Sequence, residues 1–317
     1  MRLQLVQKVE NAHEDSIWTV SWVPGKKQFV TGSVDENVNI WEESGSAEEV
    51  AISQVHTLSG VSLGAVSVCV DSTGQYGAVN SLDSKINVWS MDGYSIVGDM
   101  IKMGPSECWD IAFMPKRSES DPLVLAMAGG STNCLRLWNV LENKEVATFE
   151  IPSDTEKKRR ELFTLSVAVS PDGKYIAGAG MDGIIAIFEV ESGKLVGKSE
   201  DHSKPVRKLA FSPDSKYIVS ACDDMHVGIF EAATGNTIQV LSGHESWVLG
   251  VAVHPDGKVL ATGGSDGKVK LWDLDDNKCI QTVSEHTDQV WGVAWSDDGK
   301  RLASVSDDRS IIVYALL

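Results

Sequence analysis

Between Gly243 and Asp273 the chain alternates short apolar runs with turn-forming polar clusters, a pattern that predicts short β-strands. Val248, Gly250 and Ala252, then Val259 and Ala261, fall at alternate positions, the period of a pleated strand with one side buried. Pro255-Asp256-Gly257 and Ser265-Asp266-Gly267 separate these runs and supply residues that tolerate tight-turn backbone angles. Four such strands make a small sheet with apolar residues on both faces. A unit of that size cannot bury both faces alone, so it requires neighbours.

The neighbours are visible as an aspartate six positions before a closing aromatic: Asp35 and Trp41, Asp83 and Trp89, Asp182 and Phe188, Asp224 and Phe230, Asp266 and Trp272, Asp308 and Tyr314. Thr132 holds the aspartate position before Trp138. Successive aromatics are 48, 49, 50, 42, 42 and 42 residues apart. That spacing, with Gly243-His244 opening a unit and Trp272-Asp273 closing it, matches the WD repeat, whose period is about 40 to 45 residues. Seven repeats predict an all-β, seven-bladed WD-repeat propeller over residues 1–317 as a single domain, in which ring closure covers every sheet face. Leu3 to Val9 alternates ahead of the first histidine, while the seventh repeat has only three strands of its own. The N-terminal strand is therefore expected to complete the last blade.

Four repeats also carry a histidine 22 positions before the aspartate, at His13, His202, His244 and His286. Each has a hydroxyl four before its aspartate, at Thr31, Ser220, Thr262 and Ser304. Together with Asp35, Asp224, Asp266 and Asp308, and with Trp41 and Trp272 in repeats one and six, they predict a buried relay that fixes the turns of each blade. The residue types resemble a catalytic triad, but a nucleophile is built once in a cleft, and this set recurs around a ring. Repeat two has Val61 and Val79 at the histidine and hydroxyl positions and is expected to rely on packing. Repeat three has Gly104 near the histidine position and Thr132 for the aspartate, leaving Trp109 and Trp138 to carry it.

The chain has 28 Lys plus Arg against 45 Asp plus Glu, a net charge of -17 that repels phosphate backbones and argues against direct nucleic-acid binding. Cys69, Cys108, Cys134, Cys222 and Cys279 are odd in number and form no CxxC pair, which suits core positions in a reducing compartment. No run of about 18 apolar residues and no apolar leader after Met1 occurs, so an intracellular chain without a membrane partner is expected. The basic run Lys157 to Arg160 reads either as a nuclear localisation patch or as a solvated loop. Gly178 to Gly183 matches GxGxxG but lies between strands, and the run from Asp273 lacks the turn glycine and closing glutamate of a calcium loop. No catalytic residue, cofactor or metal is expected, and the chain does not read as an enzyme.

In a propeller the loops and strand entries around the channel are the usual docking surface. The positions three and five after each histidine, with the residue before each aspartate, should line it. Trp18, Trp109, Phe163 and Arg207 fall in this set, as do Trp247, Leu249 and Trp291. Large apolar groups and an arginine match the composition of binding hot spots. Some of the tryptophans are expected to tuck between blades, and Arg207 to be free to pair a carboxylate.

The runs NAHEDSIW, DHSKPVRKLAFSPDSKYIVSACDD, LSGHESWVLGVAVHPDGKVLATGGSDGKVKLWD and EHTDQVWGVAWSDDGKRLASVSDD give the chain a more specific likeness. It resembles the small propeller subunit of the superkiller complex, which plants and animals share with the Paf transcription-elongation complex. That resemblance implies a non-catalytic scaffold, monomeric within larger complexes and present in both nucleus and cytoplasm. Its implied partners are the tetratricopeptide and helicase subunits that feed the cytoplasmic exosome in mRNA decay, and Paf subunits on transcribing polymerase. It also implies that Trp18, Trp109, Arg207, Trp247, Leu249 and Trp291 grip short partner motifs. Two other readings compete. A ubiquitin-ligase substrate receptor would want a basic residue two after the WD aspartate, where this chain has Asp275 and Leu141. A histone-tail reader would use Glu107, Asp223 and Asp307 near the channel to take a basic peptide.

Overall fold

The computed structural model describes residues 1–45, 50–104, 108–118, 120–129, 133–152 and 163–317. These residues form seven four-stranded antiparallel sheets, the blades of a β-propeller, numbered here in repeat order, with no helix among them. In blade one the strands run outward from the channel as Ile17–Trp22, Gln28–Ser33, Asn37–Gly45 and Val50–Ser59. Apolar side chains on facing sheets meet between blades. Val30, Val38 and Ile40 of blade one, for example, pack on Ala65, Val68, Val79 and Trp89 of blade two. Trp89, Trp272 and Tyr314 are buried almost completely, and each such aromatic removes roughly 150–250 Å² from water.

Blade seven takes its outermost strand from the other end of the chain. Leu3–Val9 pairs antiparallel with Ile311–Leu316, Leu3 opposite Leu316 and Val9 opposite Ile311. The joining strand is also tied sideways. Gln281 of blade six donates to the Leu3 carbonyl at 2.9 Å and accepts from the Leu3 N–H at 2.6 Å. On the other flank Gln7 accepts from the Ile52 N–H of blade one at 2.7 Å. The seam is held by one ladder and two carboxamides.

A second set of bonds runs around the channel at a single repeat position, the sixth after the histidine. Its occupants are Thr19, Ser67, Asp110, Ser166, Lys208, Gly250 and Gly292. Thr19 of blade one accepts from the Val68 N–H of blade two at 3.0 Å. Ser67 of blade two donates to Asp110 Oδ1 of blade three at 2.7 Å, and Ser166 of blade four donates to Oδ2 at 2.9 Å. Lys208 of blade five reaches both oxygens, at 2.8 and 3.0 Å, and Ser166 also accepts the Leu209 N–H at 3.0 Å. Blades six and seven use the same position differently. A Cβ on Gly250 would lie 2.8 Å from the Trp291 carbonyl oxygen, so glycine there lets the two backbones approach.

Blade three therefore does not depend on Trp109 and Trp138 alone. Asp110 is buried and bonded to blades two, four and five, whereas Trp138 is only half-buried and donates within its own blade to Asn143 at 3.1 Å. Thr132 lies outside the described residues. The cysteines are all free thiols, and Cys279 is exposed on an outer strand rather than placed in the core, because outer strands keep one face in solvent. Removing residues 1–10 would strip the edge of Ile311–Leu316 and take Leu3 out of the core between blades six and seven. The truncated protein should melt at least about 5 °C lower and self-associate through the bared edge. An unchanged melting temperature in differential scanning calorimetry would contradict this role for the strand.

Candidate functional site

The four complete repeats bring histidine, hydroxyl and carboxylate into contact. His13 Nδ1 lies 2.9 Å from Asp35 Oδ2 and its Nε2 lies 2.8 Å from Thr31 Oγ1, which also accepts the Trp41 indole N–H at 2.8 Å. Blade six repeats this with His244, Asp266, Thr262 and Trp272, the indole bond being 2.9 Å. In blade five the contacts are His202 to Asp224 at 2.7 Å and to Ser220 at 2.6 Å. In blade seven His286 lies 3.0 Å from Asp308 and 2.8 Å from Ser304. A carboxylate can only accept, so Nδ1–H donates to the aspartate and the hydroxyl faces Nε2. The aspartates also take main-chain N–H groups, Asp35 from Glu14 and Asn37, Asp308 from Thr287 and Ser310. Each relay thus anchors the loop entering the inner strand to the turn facing it.

The rim residues are set by a bulge. In blades one, two and four to seven the inner strand slips register at the same place, between Ile17 and Thr19, Ala65 and Ser67, Thr164 and Ser166, Val206 and Lys208, Val248 and Gly250, and Val290 and Gly292. The residue skipped in each slip leaves the ladder and is re-aimed, which is what a β-bulge does. Trp18, Arg207 and Trp291 are skipped residues, and all three line a central cavity of about 340 Å³ together with Trp109. The fifth-position residues therefore form a ring at the channel mouth.

Around that ring the aromatics meet in pairs. Trp18 and Trp291, from adjacent blades, have ring centroids 5.6 Å apart at 41°. Trp109 and Phe163 form an edge-to-face pair at 5.9 Å. All four are half-buried. Trp247 stands out, 48% exposed, with the Arg207 guanidinium 5.5 Å from its ring centroid. Arg207 is not free to pair an incoming carboxylate. Its Nε and Nη2 donate to the two oxygens of Asp223 at 2.8 and 2.6 Å, a bidentate pair already closed within the blade. Leu249 is corrected too: it is 3% exposed, packed in the channel wall instead of on the docking face. Trp291 Nε1 and Asp307 Oδ1 are buried atoms without a protein hydrogen-bond partner, one donor and one acceptor at the blade-seven side of the mouth. Glu107, Ser131 and the run Lys157 to Arg160 lie outside the described residues.

Beneath the aromatics lies a floor that counting at positions three and five overlooks. Asp110 and Lys208, one residue further along their repeats, close across the channel as a salt bridge. Arg207 and Asp223 are paired above it. The signal was present in the sequence, since two opposite charges stand at one repeat offset where the other blades carry hydroxyls or glycine.

The WD domain, G-beta repeat family matches residues 4–42, 163–189, 193–231, 235–273 and 277–314. The chain belongs to the WD-repeat family. The matched segments skip blades two and three, which, like the matched blade four, lack the relay histidine. WD repeat-containing protein VIP3 of Arabidopsis thaliana is 39% identical over 218 residues, 66% of this chain and 64% of its own length. WD repeat-containing protein SL1-17 of Schistosoma mansoni is 31% identical over 208 residues, 63% of this chain and 62% of its own. Pre-mRNA-processing factor 19 of Oryza sativa subsp. japonica is 26% identical over 172 residues, 54% of this chain and 30% of its own. The chain thus spans less than two thirds of the length of each of these relatives.

In this WD-repeat propeller the relay aspartates link stability to acid. Burial would raise the Asp35 and Asp224 carboxyls, but the hydrogen bond and charge of His13 and His202 outweigh it and hold both at about 2. A carboxyl depressed on folding contributes stability above its unfolded value, roughly 3.9, and loses it as pH falls through the folded one. Each is worth on the order of 2 kcal/mol. The melting temperature should therefore drop steeply between about pH 4 and 2. Asp35→Asn with Asp224→Asn should start lower at neutral pH and descend less steeply in that window. Parallel curves for the two proteins would mean that the relays do not carry the acid sensitivity.

Proposed function

We propose that this propeller is a non-catalytic interaction subunit shared by the superkiller and Paf assemblies, holding short partner segments at its channel mouth. The observation that carries the reading is the platform built from Trp247, Arg207 and Asp223. An exposed indole is held against a guanidinium that is itself locked by a bidentate pair, so a large apolar surface is presented with little freedom left to lose on binding. The Trp18–Trp291 pair supplies a second apolar contact. A mouth of this size takes side chains and extended segments, not a folded domain.

The choice of complexes rests on the likeness of repeats one and five to seven to that subunit, and the similarity to VIP3 supports a WD-repeat partner role of this kind. With those two assemblies as partners, the proposal has the chain working in both nucleus and cytoplasm. A histone-tail reader is less well supported, because both oxygens of Asp223 are committed to Arg207 and cannot take a lysine. The test is affinity capture with the wild type and a Trp247→Ala, Trp291→Ala variant, with circular dichroism to establish that the variant is folded. Superkiller and Paf subunits should be recovered by the wild type and lost together by the variant, with purified partner segments binding at least about 30-fold more weakly. Capture of cullin adaptors or histones in their place would overturn the assignment.

A further inference from the structure

The blade-five relay differs from the other three in the company it keeps. Cys222 stands two residues before Asp224, where blades one and seven carry Ser33 and Ser306. His226 stands two residues after it, where those blades carry Asn37 and Ser310. A His202 ring nitrogen, Cys222 Sγ and an Asp224 oxygen all lie within 4.8 Å of one another. His226 Nδ1 is 3.5 Å from Asp224 Oδ1, on the solvent side. An imidazole, a carboxylate and a thiol converge there, with His226 beside the carboxylate, and a surface depression lined by His202, Asp224, His226 and Phe230 opens onto the imidazoles and the carboxylate.

We propose that blade five binds one zinc ion, through His202 Nδ1, Asp224, Cys222 and His226. The donor set is one that tetrahedral zinc takes, and nothing in the other relays reproduces it. The closing aromatic explains why His202 can turn its lone pair to a metal. In blades one and six an indole N–H fills the acceptor side of the threonine hydroxyl and directs that hydroxyl's own hydrogen at the histidine. Phe230 donates nothing, and Ser220 instead takes the Gly228 N–H at a longer 3.2 Å. On zinc binding the hydrogen that Nδ1 donates to Asp224 would move to Nε2, which would then donate to Ser220, the outer-shell bond that orients a ligating imidazole. Nδ1 and Asp224 Oδ2 are 2.7 Å apart and would open by about half an ångström to hold zinc between them.

Cys222 Sγ accepts the Asp224 N–H at 3.4 Å and donates its hydrogen to the Lys204 carbonyl at 3.3 Å, a hydrogen it gives up on ligating. Burial pushes its thiol well up, so the sulfur ligates only when the dication displaces its proton to solvent. His226, 41% exposed at its side chain, closes the site from outside.

The experiment is metal binding by the tag-free full chain after chelator treatment, with zinc measured by mass spectrometry and cobalt(II) as the optical probe. One zinc per chain is expected, and the cobalt form should show tetrahedral visible bands with a thiolate charge-transfer band. Cys222→Ser and His226→Asn install the residues of blade one, so both should fold. The first should abolish the charge-transfer band, and each should weaken zinc binding by at least about tenfold. Uptake below one zinc per chain, a cobalt spectrum without the thiolate band, or affinity unchanged in both variants would each overturn the proposal. None of these outcomes bears on partner capture at the channel mouth.

Discussion

The Asp110 carboxylate accepts from Ser67 on one side and Ser166 on the other, and Lys208 closes over it, so one side chain spans blades two to five. Directional bonds of this kind fix the angle between blades, as Arg301 with Glu43 does between blades seven and one and the Trp295 indole with the Ala252 carbonyl between blades seven and six. Apolar packing between sheets is strong but non-directional, and it tolerates small rotations of one sheet on the next. Relays in blades one, five, six and seven fix the loops of those blades from within. Blades two, three and four have no relay histidine, and there the directional bonds come from the channel side. Removing one partner of such a network leaves several buried donors unmet, and the loss exceeds that of any single bond.

The channel mouth inherits its order from these two systems. A bulge at one repeat position aims the fifth-position side chains at the mouth, and the relays hold the loops above them. Below, the belt of hydroxyls and charges sets the spacing of the inner strands and so the diameter of the ring. Arg207 and Lys208 illustrate the division, being adjacent in sequence and opposite in task. The first supports Trp247 at the surface, and the second ties blade five to Asp110 across the channel.

Much of this was legible in the sequence. The fold class, the seven repeats and the closing role of Leu3–Val9 follow from a period and a strand count, because the apolar alternation and turn chemistry recur at fixed offsets. The relay partners are legible for the same reason. The site is less so. Position alone assigned Leu249 and Arg207 to an open surface, but a bulge residue faces the mouth only as far as its neighbours let it. Leucine sinks into the apolar channel wall, and arginine, with an aspartate sixteen residues on at the facing turn, closes an internal pair. Asp110 escaped because it sits one position beyond the rim set, at an offset where the blades carry different residue types, so the repeat alone assigns it no partner. Its partners are three strands from three other blades, and only the closed ring brings them within reach.

Hydrogen–deuterium exchange on the wild type and Asp110→Ala tests most directly whether this carboxylate supports the relay-poor arc. The account predicts that protection falls by about two orders of magnitude or more in Ala65–Val70, Asp110–Phe113, Thr164–Val169 and Val206–Phe211, with Val248–Val253 and Val290–Trp295 little changed. Faster exchange confined to blade three, or none at all, would contradict it.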